Sequence, residues 1–155
     1  MKENQPEKLQ KIILYIENQC FQKPYTEKMI LQELSDPDSV ILFADPGGAV
    51  FERSRLDFDP CGYSIVKILR FEKTVEILRI AVLKNFRKQK IAEKMMDEIR
   101  RIAVKEGFRR IILEVSEKNT AAVNLYRKFG FLEYHKRKQY YADGSNALLL
   151  KKTLT

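Results

Sequence analysis

Leu9, Ile12, Ile13 and Ile16 recur at the spacing of a single helical face and predict a first helix from about Pro6 to Cys20. Pro6 suits the opening turn, where a missing backbone N–H leaves no intrahelical bond unmade. A loop around Phe21 to Tyr25 leads to a shorter helix near Thr26 to Leu34, in which Met29, Ile30 and Leu34 are apolar. Ser35-Asp36-Pro37-Asp38 is a turn, and Val40 to Ala44 has the apolar run of a strand. Asp45-Pro46-Gly47-Gly48 makes another turn; Ala49 to Phe51 has room for one short strand, and Glu52 to Pro60 has the character of loop. Loops of that length in compact domains are often functional or mobile.

Tyr63 to Phe71 and Val75 to Leu83 are β-rich and separated by Glu72-Lys73-Thr74, the pattern of an antiparallel hairpin. Ile91 to Glu106 carries the clearest helical stripe, through Met95, Met96, Ile99, Ile102 and Ala103, and Gly107 is positioned to end it. Arg110 to Val115 is a strand whose consecutive Ile111, Ile112 and Leu113 predict burial on both faces. Asn119 is a good N-cap for a helix running to Phe129 and closed by Gly130. Phe131 to about His135 and Ala147 to Lys151 are the last strands, joined by a basic, aromatic segment. This order predicts an α/β (α+β) fold with one mixed sheet and helices on both faces.

The 155 residues suit a single domain spanning 1–155, and 45% apolar content excludes a wholly disordered chain. Two cysteines, Cys20 and Cys61, are too few for a disulfide scaffold and are expected to be free thiols. With one histidine and no close cysteine pair, no metal site is expected. No apolar run approaches the ~20 residues that span a bilayer, and the polar start MKENQPEKLQ lacks a signal-like core. The expectation is a soluble, cytoplasmic protein without a membrane partner. The net charge of +8 points to anionic partners without naming them. Nucleic acid, a membrane surface, a phosphorylated cofactor and a plainly basic surface all accommodate it.

Two places carry chemistry. The strand ending near Leu83 runs through Lys84-Asn85-Phe86-Arg87-Lys88-Gln89-Lys90 straight into a long helix. A helix N-terminus presents unpaired N–H groups and positive potential, a ready anion site, and here four cations crowd the same turn. The second place is the set Glu114, Asn119 and Tyr126. Glu114 interrupts an apolar strand; buried, its carboxyl would move toward the range of a general base, whereas at a strand end it would be exposed. Tyr126 lies two helical turns beyond Asn119 and equally suits core packing.

From about Glu76 to Lys152 the sequence resembles a GCN5-related N-acetyltransferase, particularly the ribosomal-protein-alanine branch. Arg87-Lys88-Gln89-Lys90-Ile91-Ala92 is similar to that family's phosphate motif, and the block from Leu113 to Phe131, with its Asn119 and Gly130, resembles its later signature. Tyr140-Tyr141 before Ala147 to Lys151 resembles its tail, and Cys20-Phe21 with Pro24-Tyr25 resembles the loop between the branch's first two helices. The resemblance implies an acyl-CoA N-acyltransferase fold: a mainly antiparallel sheet splayed where the strands Val75–Leu83 and Arg110–Val115 run parallel, with the cofactor in the splay. It implies that Ile80, Ala81 and Val82 offer backbone groups to the pantetheine arm of acetyl-CoA. The backbone of Arg87, Lys88, Gln89, Lys90, Ile91 and Ala92 would hold the pyrophosphate, and Asn119 would contact the cofactor. It further implies Glu114 as general base through water, Tyr126 as the acid for the departing thiolate, and Tyr25, Tyr140 and Tyr141 along the acceptor cleft.

Direct transfer of an acetyl group needs a neutral amine. A peptide α-amine, with a pKa of ~7.7–8.0, is roughly one-third neutral near pH 7.4, against about 0.1% for a lysine side chain at ~10.4. The first expectation for the acceptor is therefore a protein or peptide N-terminal α-amine, with lysine or a small amine next. The protein is expected to act as a monomer or homodimer, and no nucleic-acid motif accompanies Lys136-Arg137-Lys138. Two departures from the family pattern stand out. Lys90 replaces the first motif glycine, which motivates an alternative: a regulatory CoA-binding module with little turnover. Met1 to Gln5 are too few and polar for the family's usual first strand.

Overall fold

The computed structural model describes residues 5–53 and 56–155. Helix α1 (Gln5–Cys20) is followed by α2 (Glu27–Ser35), whose N-cap Thr26 accepts a hydrogen bond from the Met29 amide at 3.3 Å. Strands β1 (Ser39–Ala44), β2 (Val50–Glu52), β3 (Gly62–Leu69) and β4 (Thr74–Val82) come next. Helix α3 (Ile91–Lys105), β5 (Arg110–Ser116), α4 (Thr120–Lys128), β6 (Leu132–Arg137) and β7 (Ala147–Thr153) complete the order. The short strand near Ala49–Phe51 is present as β2; of the expected 52–60 loop, residues 54 and 55 lie outside the described residues. Of the segment expected to lack a first strand, residues 1–4 also lie outside them, and Gln5 already begins α1.

The strands form one seven-stranded sheet in the order β2-β1-β3-β4-β5-β7-β6. Every neighbouring pair is antiparallel except β4 and β5. That parallel ladder is short: it runs from Thr74↔Arg110 to Ile77↔Leu113 and stops. Strand β4 continues to Val82 and β5 to Ser116, so the two part. They separate beside a β-bulge: β3 pairs Val66 with Ile77 and Ile65 with Arg79, leaving Leu78 as the surplus residue. A bulge bends its strand and sharpens the local twist, which turns β4 away from β5.

Helices α1 and α2 lie on one face of the sheet. Ile13 and Ile16 of α1 and Ile30 of α2 are buried with Ile41, Phe43, Tyr63, Ile65 and Ala81. On the other face Met96, Ile99 and Ala103 of α3 and Val123 and Tyr126 of α4 pack with Val75, Ile77, Ile111, Leu113 and Leu150. The α1 and α2 core includes no residue of β5, β7 or β6. On that side Ile112, Glu114 and Leu149 are half-buried, and β6 is exposed throughout. This corrects the expectation that β5 is buried on both faces. Its exposure alternates residue by residue, because only the α3 and α4 face is covered.

Candidate active site

At the mouth of the splay two carboxylates share one face. Glu76 is in register with Ile112, so Glu76 on β4 and Glu114 on β5 both project toward the side that α1 and α2 only partly cover. The Glu114 side chain is 29% exposed, with Oε2 3.7 Å from Arg137 Nη1, so its strand position does not seal it from water. Glu76 is likewise half-buried. Burial pushes its carboxyl above the ordinary range, and the negative charge of Glu114 adds to that.

Tyr126 approaches from the opposite face. Its ring is buried in the α3 and α4 core, with its centroid 5.8 Å from that of Phe131. Burial pushes the phenol up to about 12. Its hydroxyl bonds to no described residue, yet Arg79 Nε, ion-paired to Glu17, is the sole fully buried side-chain nitrogen or oxygen without a hydrogen bond among the described residues; the hydroxyl is therefore in reach of solvent. Asn119 caps α4, its Oδ1 accepting from the Ala122 amide at 3.3 Å.

The junction into α3 is built by a 3₁₀ turn over Lys84–Phe86 and two residues in the left-handed region, Lys88 (φ 60°) and Lys90 (φ 62°, ψ 20°). Lys90 thus adopts a conformation that glycine takes without steric cost. No side chain caps α3, and its first intrahelical bond is Lys94 N to Lys90 O at 3.0 Å. The amides of Ile91, Ala92 and Glu93 consequently point out of the helix end without helical partners. The Arg87 side chain turns back, Nε donating to the Val82 carbonyl at 2.8 Å. Gln89 Nε2 donates to Asn85 O at 3.3 Å. Ile80, Ala81 and Val82 pair with β3 on one edge only, since the β4–β5 ladder ends at Ile77. An extended, amide-bearing chain ending in phosphates matches this layout: a free strand edge followed by a helix N-terminus whose amides converge.

Along the half-open face, Tyr140 and Tyr141 pack edge to face with centroids 5.2 Å apart, and Arg137 lies over Tyr140 at 5.3 Å. Across from them, Tyr25 covers Arg79, whose guanidinium lies 4.2 Å from the Tyr25 ring and 4.0 Å from the Phe21 ring. Burial raises the phenols of both Tyr25 and Tyr141, and the Arg79 charge opposes the rise in each. Sequence reasoning passed over Glu76, Arg79, Glu17 and Arg137. Arg79 did leave a signal, interrupting Ile77-Leu78-Ile80-Ala81 just as Glu114 interrupts β5. Glu17 left another: it sits four residues after Ile13, on the apolar side of α1.

Residues 11–131 match the model of the Acetyltransferase (GNAT) family. An N-alpha-acetyltransferase of Sulfurisphaera tokodaii is 29% identical over 143 residues, covering 89% of this chain and 83% of that protein. Among solved structures, the ribosomal-protein-alanine N-acetyltransferase of Escherichia coli superposes with a TM-score of 0.80 at 19% identity, over 94% of this chain and 88% of that one. Arabidopsis thaliana NAA60 in complex with acetyl-CoA gives 0.76 at 18% identity, over 95% and 94%.

Proposed function

The chain belongs to the acetyltransferase (GNAT) family and is an acetyl-CoA-dependent N-acetyltransferase, and from that premise we propose that its acceptor is the N-terminal α-amine of a peptide or protein. The observation that carries this reading is the splay itself, with carboxylates on one side and a phenol on the other. The α-amine is neutral often enough near pH 7.4 for a modest base to serve, which suits a half-exposed carboxylate better than a deeply desolvated one. The similar N-alpha-acetyltransferase supports the same acceptor class.

Acetyl-CoA, when bound, supplies an acetyl group already activated as a thioester. The free edge of β4 at Ile80, Ala81 and Val82 would hold the pantetheine arm. The backbone from Arg87 to Ala92 would hold the pyrophosphate, with Asn119 beside the cofactor. Tyr25, Tyr140 and Tyr141 would guide the acceptor chain to the carboxylates. Glu114 takes the proton that the amine sheds as its nitrogen bonds to the acyl carbon, working through water. Glu76 stands beside Glu114 on the same face, and burial together with the Glu114 charge raises its carboxyl above the ordinary range. Tyr126 directs its hydroxyl proton at the departing sulfur. Its phenol stands near 12 and a thiol near ~8.5, so a hydrogen bond to the sulfur costs less than full ionisation of the tyrosine. The protein is expected to work in the cytoplasm; among the described residues no helix is long and apolar enough to cross a membrane.

The test is an acceptor panel with labelled acetyl-CoA. Peptides with a free N-terminus should be labelled, and the same peptides blocked at the N-terminus but carrying an internal lysine should not. Equal labelling of both sets would replace the α-amine by lysine; labelling confined to small amines would exclude peptides.

A further inference from the structure

Glu17 lies near the end of α1 and is fully buried. Its carboxylate gathers donors from three separate parts of the chain. The Tyr25 amide donates to Oε2 at 2.7 Å, the Tyr63 hydroxyl of β3 donates to Oε1, and Arg79 Nη2 of β4 donates to Oε2 at 3.2 Å. Arg79 then extends the cluster: Nη2 also donates to the Lys23 carbonyl at 3.0 Å, and the guanidinium is bracketed by Phe21 and Tyr25. The segment between α1 and α2 thus hangs on one buried ion pair, and that pair is anchored next to the bulge where β4 leaves β5.

We propose that Glu17 is a positioning residue for the acceptor: acting through Arg79, it fixes the Phe21–Tyr25 wall of the cleft in register with the strand that carries the splay. Packing alone could be met by apolar side chains of similar volume, and a buried ion pair is costly to desolvate. What it adds is direction, because a planar guanidinium between two rings and a carboxylate admits one arrangement. The assignment rests on the acetyltransferase reading only for what occupies the cleft.

The test uses Arg79→Met, Arg79→Lys and Glu17→Gln in the full chain, with steady-state kinetics and amide hydrogen exchange at Tyr25. Arg79→Met should raise the acceptor KM about tenfold while the acetyl-CoA KM stays within about twofold. Tyr25 amide exchange should accelerate in the same variant. Arg79→Lys should recover only part of the loss, since an ammonium cannot span both rings. An unchanged acceptor KM in folded Arg79→Met, or an acetyl-CoA KM that rises in step, overturns the assignment. If Glu17→Gln does not fold, the two Arg79 variants still decide. If the wild type acetylates no peptide, it is the acceptor reading that fails, and Tyr25 exchange alone then judges the clamp: unaltered protection in Arg79→Met overturns it.

Discussion

A phenol held near 12 stays protonated at every pH where an α-amine can react, so Tyr126 is always able to donate. Tyr126→Phe should lower kcat about a hundredfold, the lower end of general-acid contributions, and leave acetyl-CoA affinity within twofold by calorimetry. An unchanged kcat at saturating substrates would remove the tyrosine from the chemistry. Glu76 makes a different prediction. Its carboxyl is raised in the fold, so its proton favours the native state below the ordinary carboxylate range, and that advantage disappears as pH climbs through the folded value. Glu76→Gln is neutral throughout, so its melting temperature should gain on the wild type between pH 4 and pH 7; parallel melting profiles would refute the raised carboxyl. Glu76 was hard to recognise in the sequence because its burial, and the charge of Glu114 38 positions away, come from a parallel neighbour, and parallel pairing leaves no local pattern.

Element by element, most of the architecture was legible. Amphipathic periods marked α1 and α3, and Gly107 (φ 74°) and Gly130 (φ 85°) end their helices in the left-handed region as their positions suggested. Less legible was the turn into α3, where a lysine occupies a glycine-like backbone. Left-handed geometry costs a residue with a Cβ roughly 1–2 kcal/mol. Lys90→Gly should therefore raise stability by about 1 kcal/mol after the added freedom of the unfolded chain is subtracted, as chemical denaturation would measure. Acetyl-CoA affinity tells what the ammonium does. A Kd within threefold of wild type means that the backbone alone grips the pyrophosphate, whereas tenfold weakening means that the Lys90 charge takes part.

For the molecule as a whole, what the sequence concealed was coverage. Consecutive apolar residues in β5 look alike whether one face or both are packed; only the assembled sheet shows that α1 and α2 stop short of β5, β7 and β6. That unroofed half is what leaves Glu114, Tyr140 and Tyr141 accessible to a chain as large as a peptide. The surplus residue at Leu78 has a consequence of its own. Excising it would restore strict alternation without turning any downstream side chain over, since Arg79 already sits opposite Ile65 and Ile77 opposite Val66. With its kink gone, β4 could zip onto β5 along its remaining length. The shortened protein should fold and show no heat with acetyl-CoA in calorimetry: a tidier weave that has sewn its own buttonhole shut.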